Sequence, residues 1–114
     1  MGCEVKWTVS AKSDTERIIR YIAVTLASPK AASEHLEAFL DVADNISEFP
    51  EMRAIGSHPA IARRRLRPYF VKSYVMLYSY DGNEVVVHRV FHTLQDHARL
   101  IEHEADDDNG ESKP

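Results

Sequence analysis

Residues 62–96 constrain the fold most: three runs of β-forming residues follow one another closely, after a front half with helical spacing. Strands are expected at about 61–67, 69–80 and 84–91. Asp81-Gly82-Asn83 sits between the last two and reads as a hairpin, because these residue types tolerate positive φ. Such a sheet has to bury a face, and the front half supplies the cover. Ile18, Ile19, Ile22 and Leu26 repeat at helical spacing and predict a helix over about 12–27. Ser10 or Ser13 can cap it, and Ser13-x-x-Glu16 has capping-box spacing. Ser28-Pro29 ends that helix and begins the next, with Ser as N-cap and Pro in the first turn. Leu36, Phe39, Leu40, Ala43, Ile46 and Phe49 carry the second helix to about residue 48, where Pro50 stops it.

Val5, Trp7 and Val9 alternate with polar residues, so residues 4–10 read as an opening strand. Asp96 can cap a short closing helix running to about His103. The order β-α-α-β-β-β predicts an α+β domain over residues 1–101. It places a helical hairpin on one face of a small, mainly antiparallel sheet, with a short C-terminal helix.

Charge is segregated along the chain. The whole carries −4, yet residues 102–114 hold six acids against Lys113, a net −5. That end reads as a disordered, solubilising acidic tail, with a sharper reading as an internal competitor for a basic face. Residues 53–101 carry eight bases and three acids. No apolar run reaches the roughly 20 residues that span a bilayer, and the start of the chain lacks a signal-peptide apolar region. A lone cysteine, Cys3, excludes an internal disulfide and fits a cytoplasmic protein.

The candidate functional residues lie on the expected sheet. Arg63, Arg65 and Arg67 fall on one face of a strand at 61–67, with Arg64 on the other. Edge protection explains part of this pattern. Four arginines in five positions exceed it and suit a phosphate or carboxylate partner. Tyr74, Met76, Tyr78 and Tyr80 share a face of the next strand, opposite Val75 and Leu77, so both faces need cover. The helical hairpin covers one, and a partner is expected over the other. His88 and His92, four apart on a strand, share a face but stand roughly 13 Å apart, too far for one metal. No cysteine pair, helical His-x-x-x-His or glycine-rich phosphate loop is present, so neither metal nor cofactor is expected. His92 and His97 are of the type that serves acid–base cleavage of RNA.

These residues, in this order, resemble the RelE/ParE superfamily of toxins from type II toxin–antitoxin modules. Asp-Thr-Glu-Arg-Ile-Ile-Arg-Tyr-Ile (14–22) is similar to the family's first-helix pattern, and Leu-Ala-Ser-Pro-Lys-Ala-Ala (26–32) to its helix–helix joint. Phe49-Pro50, Tyr74-Val-Met-Leu-Tyr78 and Arg89-Val-Phe-His-Thr-Leu-Gln-Asp96 look like its later elements. The resemblance covers residues 5–101. It implies a cytoplasmic, growth-inhibiting toxin of the plasmid-stabilisation type, neutralised by a cognate antitoxin in a heterotetramer or as a homodimer. The ParE-like branch implies inhibition of DNA gyrase. The RelE-like alternative is ribosome-dependent messenger RNA cleavage, with Arg89 and His92 as catalytic residues. A third alternative is a remnant that only binds antitoxin. RelE-like members often have an arginine after the tyrosine matching Tyr74, and this chain has Val75. Family members often have Arg-Asp after the last strand, and this chain has Gln95-Asp96. Arg63, Arg65, Arg67, Tyr74 and Tyr78 are the residues expected to meet the partner or nucleic acid.

Overall fold

The computed structural model describes residues 2–103. Residues 104–114, most of the acidic tail, lie outside the described residues. Four strands form one sheet in the order β1-β4-β3-β2: β1 Val5–Trp7, β2 Arg67–Val71, β3 Tyr74–Tyr80 and β4 Val85–His92. β1 runs parallel to β4, and the other pairs are antiparallel. Helices α1 (Val9–Arg20) and α2 (Pro29–Glu48) make the expected hairpin. A short helix α3, Pro59–Arg63, precedes β2, and a further helix, α4, covers residues 97–103.

The hairpin covers one sheet face. Phe39, Val42 and Ile46 of α2 and Ala11 of α1 meet Tyr74, Met76, Tyr78, Val85, Val87 and Val90 in one core. The opposite face is also covered, and by the chain itself rather than by a partner. Ile61 of α3, Leu66 and Ile101 of α4 bury Val75, Leu77 and Phe91. The short helices flanking the strands supply the second layer that periodicity alone did not reveal.

Several local signals act as expected. The Ser28 hydroxyl accepts from the Ala31 N–H at 3.2 Å, with Pro29 in the first turn of α2. Asp96 Oδ1 accepts from the Arg99 N–H at 3.2 Å and opens α4. Asp81 Oδ1 accepts from the N–H groups of Asn83 and Glu84, both at 2.9 Å, and Gly82 takes φ 93. Those bonds favour the carboxylate and hold the Asp81 carboxyl below its ordinary range.

Others are corrected. The opening strand stops at Trp7, and α1 begins at Val9 because Thr8, not Ser10 or Ser13, is its cap. The Thr8 hydroxyl accepts from the Ala11 N–H at 3.0 Å. The strand expected at 61–67 is a helical turn with a terminating motif. The Arg65 N–H donates to Ala62 O and the Leu66 N–H to Ile61 O, with Arg65 in the left-handed region at φ 55. Ile61 and Leu66 meet in the core beneath it, completing a Schellman cap with arginine where glycine is usual. Arg63, Arg65 and Arg67 therefore do not share a strand face.

The span expected as one strand at 69–80 is two, β2 and β3, joined by Lys72-Ser73. Lys72 takes φ 53, a backbone that residue type does not announce. In β4, one extra residue sits opposite the Leu77–Tyr78 step of β3. This bulge reverses the alternation, so that Val85, Val87 and Val90 all face the hairpin. It also separates the two histidines. His88 turns to Ser79 and Arg64, while His92 packs on Tyr74 on the other face.

Candidate partner-binding groove

The site begins where β1 ends. β1 pairs with β4 only from Val85 to Val87, so the outer edge of β4 would be bare beyond that point. α1 finishes the ladder. Thr8 donates to Val87 O and His88 O, and Asp14 accepts from the Val90 N–H at 3.0 Å. Asp14 is only 2% exposed, the sole buried charged residue among those described. Its other partners are cations. Arg89 grips it with Nε at 2.7 Å and Nη2 at 3.0 Å, and Arg17 reaches it with one Nη at 2.6 Å. A buried carboxylate requires such compensation, because its desolvation is costly. Arg89 also lies over the Phe91 ring at 4.6 Å.

After Arg20, α1 widens into a π-helical turn, Tyr21–Thr25, in which the Leu26 N–H reaches back to Tyr21 O. The extra residue leaves Tyr21 half-exposed over the sheet end, and π-turns of this kind concentrate at functional sites. Between this turn, the end of β4 and α4 runs a groove of about 710 Å³. Its floor is Asp14, Arg17 and Arg89, and its walls include Ile18, Phe91 and Leu100. A second hollow of about 350 Å³ shares Tyr21, Tyr74 and His92 with it and continues to His35 and Leu26.

Tyr74 stands between the two hollows, edge-on to His92 at 5.1 Å, His35 at 5.9 Å and Phe39 at 5.7 Å. Burial, and then the nearby Tyr21 hydroxyl, push its pKa up. His92 Nδ1 accepts from the Leu94 N–H at 3.0 Å. Its own N–H donates to Gln95 Oε1 at 2.9 Å.

The sequence-chosen residues are scattered by this arrangement. Tyr74, Arg89 and His92 come together in the groove. Arg63 and Arg65 are exposed on α3 and its cap, on the far face. The Arg67 side chain is only 12% exposed and binds Arg53 O and Glu51, fastening the loop after α2. Tyr78 is wholly buried and donates to Pro50 O at 2.8 Å, so it belongs to the core. Burial dominates its raised pKa. Sequence reasoning missed Asp14, Arg17, Tyr21 and Gln95. An acid amid the isoleucines of α1, at the spacing that turns it inward, was the available signal for Asp14.

The family model for the ParE toxin of the type II toxin–antitoxin system parDE matches residues 5–97. The chain belongs to the ParE toxin family. The expected RelE/ParE resemblance is thereby met, on the ParE side. A solved structure from P. aeruginosa, described as a chromosomal ParDE TA system, is similar in fold, with a TM-score of 0.64 at 17% identity. The match covers 79% of this chain and 95% of that one. A comparison with curated proteins returned no match. Among the described residues, no helix is long and apolar enough to cross a membrane, and no three His, Cys, Asp or Glu side chains are grouped to hold a metal.

Proposed function

We propose that this toxin acts in the cytoplasm, is neutralised by a cognate antitoxin that occupies the groove beside Tyr21 and Tyr74, and poisons DNA gyrase rather than cutting RNA. One observation carries the choice of target: the arginines nominated for a nuclease are bound to protein groups or stand apart from His92. Arg89 is clamped onto buried Asp14, and Arg67 is bound into a loop. His92 stands away from Arg63 and Arg65, on the opposite side of the sheet. Cleavage through a 2′-hydroxyl needs a base, an acid and cations converging on one phosphate.

The test is induction in cells without antitoxin, followed by parallel readings of DNA damage and messenger integrity. Gyrase poisoning predicts an induced DNA-damage response and filamentous cells with intact messages, relieved by co-expressing the antitoxin. Messages cut within coding regions would overturn the choice of target. Unimpaired growth with abundant folded protein would overturn the toxin activity itself.

A further inference from the structure

Two polar side chains lining the groove, Gln95 and His92, have their hydrogen-bonding directions fixed by backbone N–H groups. A backbone N–H can only donate. The bond from the His92 N–H therefore fixes Oε1 as the amide end of Gln95 that points inward, leaving its NH2 as the outer group. By the same logic, the Leu94 N–H makes His92 Nδ1 an acceptor, so the neutral ring carries its proton on Nε2. Arg17 uses a single nitrogen on Asp14, and its side chain stays 64% exposed. The one carboxylate in the groove, Asp14, is already taken up by two guanidiniums and the Val90 N–H.

We propose that this groove reads a carboxylate: its occupant is a partner-protein segment that sets an acidic side chain between apolar ones. The acid would meet the unused part of the Arg17 fork and the Gln95 amide. The apolar neighbours would lie on Ile18, Tyr21 and Leu100. The charge count agrees, since two arginines against one aspartate leave the lining net positive. The walls decide between a peptide and a nucleic acid. A phosphate backbone would gain little from the aliphatic Ile18 and Leu100, whereas an amphipathic peptide buries both. The proposal rests on the reading of this groove as the antitoxin's seat and adds the chemistry by which that seat selects its occupant.

The experiment uses the full chain and 4-phenylbutyrate, which joins an apolar group to a carboxylate, against 4-phenylbutanol of the same shape. Binding is followed by 15N–1H correlation spectra, including the Arg17 Nε–H and Gln95 side-chain signals. The acid should bind about fivefold more tightly than the alcohol, as expected for a charge-assisted contact with a largely exposed arginine. It should shift both side-chain signals, and Arg17→Gln should remove the preference. If Arg17→Gln does not fold, Gln95→Ala reads the same preference.

Equal affinity for acid and alcohol, no binding of either, or shifts centred on Arg63 and Arg65 would each overturn the inference. So would displacement of the acid by inorganic phosphate or oligothymidylate at lower concentration, which would mark a phosphate site. The titration reads the isolated chain and the induction assay reads toxicity, so the two readings fail separately.

Discussion

Replacing Asp14 with asparagine tests the physical centre of this fold, because the side chain keeps its size while losing its charge. The carboxylate accepts four hydrogen bonds: two from Arg89, one from Arg17 and one from the Val90 N–H. Asparagine can satisfy one side of this set with its oxygen. Its NH2 must then face an Arg89 N–H in either orientation, together with Arg17 or the Val90 N–H, donor against donor. Arg17 is mostly exposed and its loss counts for little. The Arg89 side chain is 19% exposed and keeps its charge when that of Asp14 is removed. Breaking one side of a buried pair typically costs 3–5 kcal/mol. With one oxygen retained, the expected loss is about 3 kcal/mol, a fall in Tm of roughly 12 °C for a domain of this size. Urea unfolding, with Asp41→Asn on the exposed side of α2 as control, measures it directly. The double variant Asp14→Leu, Arg89→Met should recover part of the loss, since it removes the buried charges but leaves the Val90 N–H without its acceptor. A cost below about 1 kcal/mol for Asp14→Asn, indistinguishable from the control, would refute the argument.

Three further changes probe separate parts of the structure. Arg65→Gly should raise stability by about 1 kcal/mol in thermal melts, because φ 55 strains an L-residue and not glycine, and a loss instead would show that the Arg65 side chain holds the cap together. Ile101→Ala should cost about 2–4 kcal/mol in urea, because Ile101 is fully buried under the second face of the sheet, whereas a change under 0.5 kcal/mol would detach α4 from the core. Burial lowers the pKa of His97 below its ordinary 6.5, so the folded form binds a proton less readily than the unfolded chain. Stability attributable to this group is therefore complete above about pH 6.5 and falls as pH drops through the folded-state value. His97→Gln should flatten that part of the stability–pH curve, and an unchanged slope would remove His97 as its source.

The architecture was legible because hydrophobic period and local signals agreed along most of the chain. Ser28-Pro29, Asp81-Gly82-Asn83 and Asp96 each mark a boundary with a physical mechanism, and each acts there. Failures occurred where non-glycine residues adopt positive φ. Arg65 and Lys72 close a helix and a hairpin without carrying a turn signal, so a basic run was read as strand and two strands were read as one. The bulge in β4 is equally silent in sequence, and it decided which face each histidine occupies.

The groove was half legible. Tyr74, Arg89 and His92 were chosen from the strands, but their companions Arg17 and Tyr21 come from α1 and its π-turn. Periodicity assigns a residue to a helix face. It does not show that the sheet edge opposite that face lacks a strand and needs Asp14 in its place.

The most direct test of the account is a supercoiling assay with purified DNA gyrase, relaxed plasmid and the full chain. The protein is expected to block supercoiling and trap cleaved plasmid, prior addition of its antitoxin to restore activity, and a messenger RNA translated in a purified ribosome system to stay intact. Uninhibited gyrase together with cleavage of that messenger on the ribosome would contradict the account.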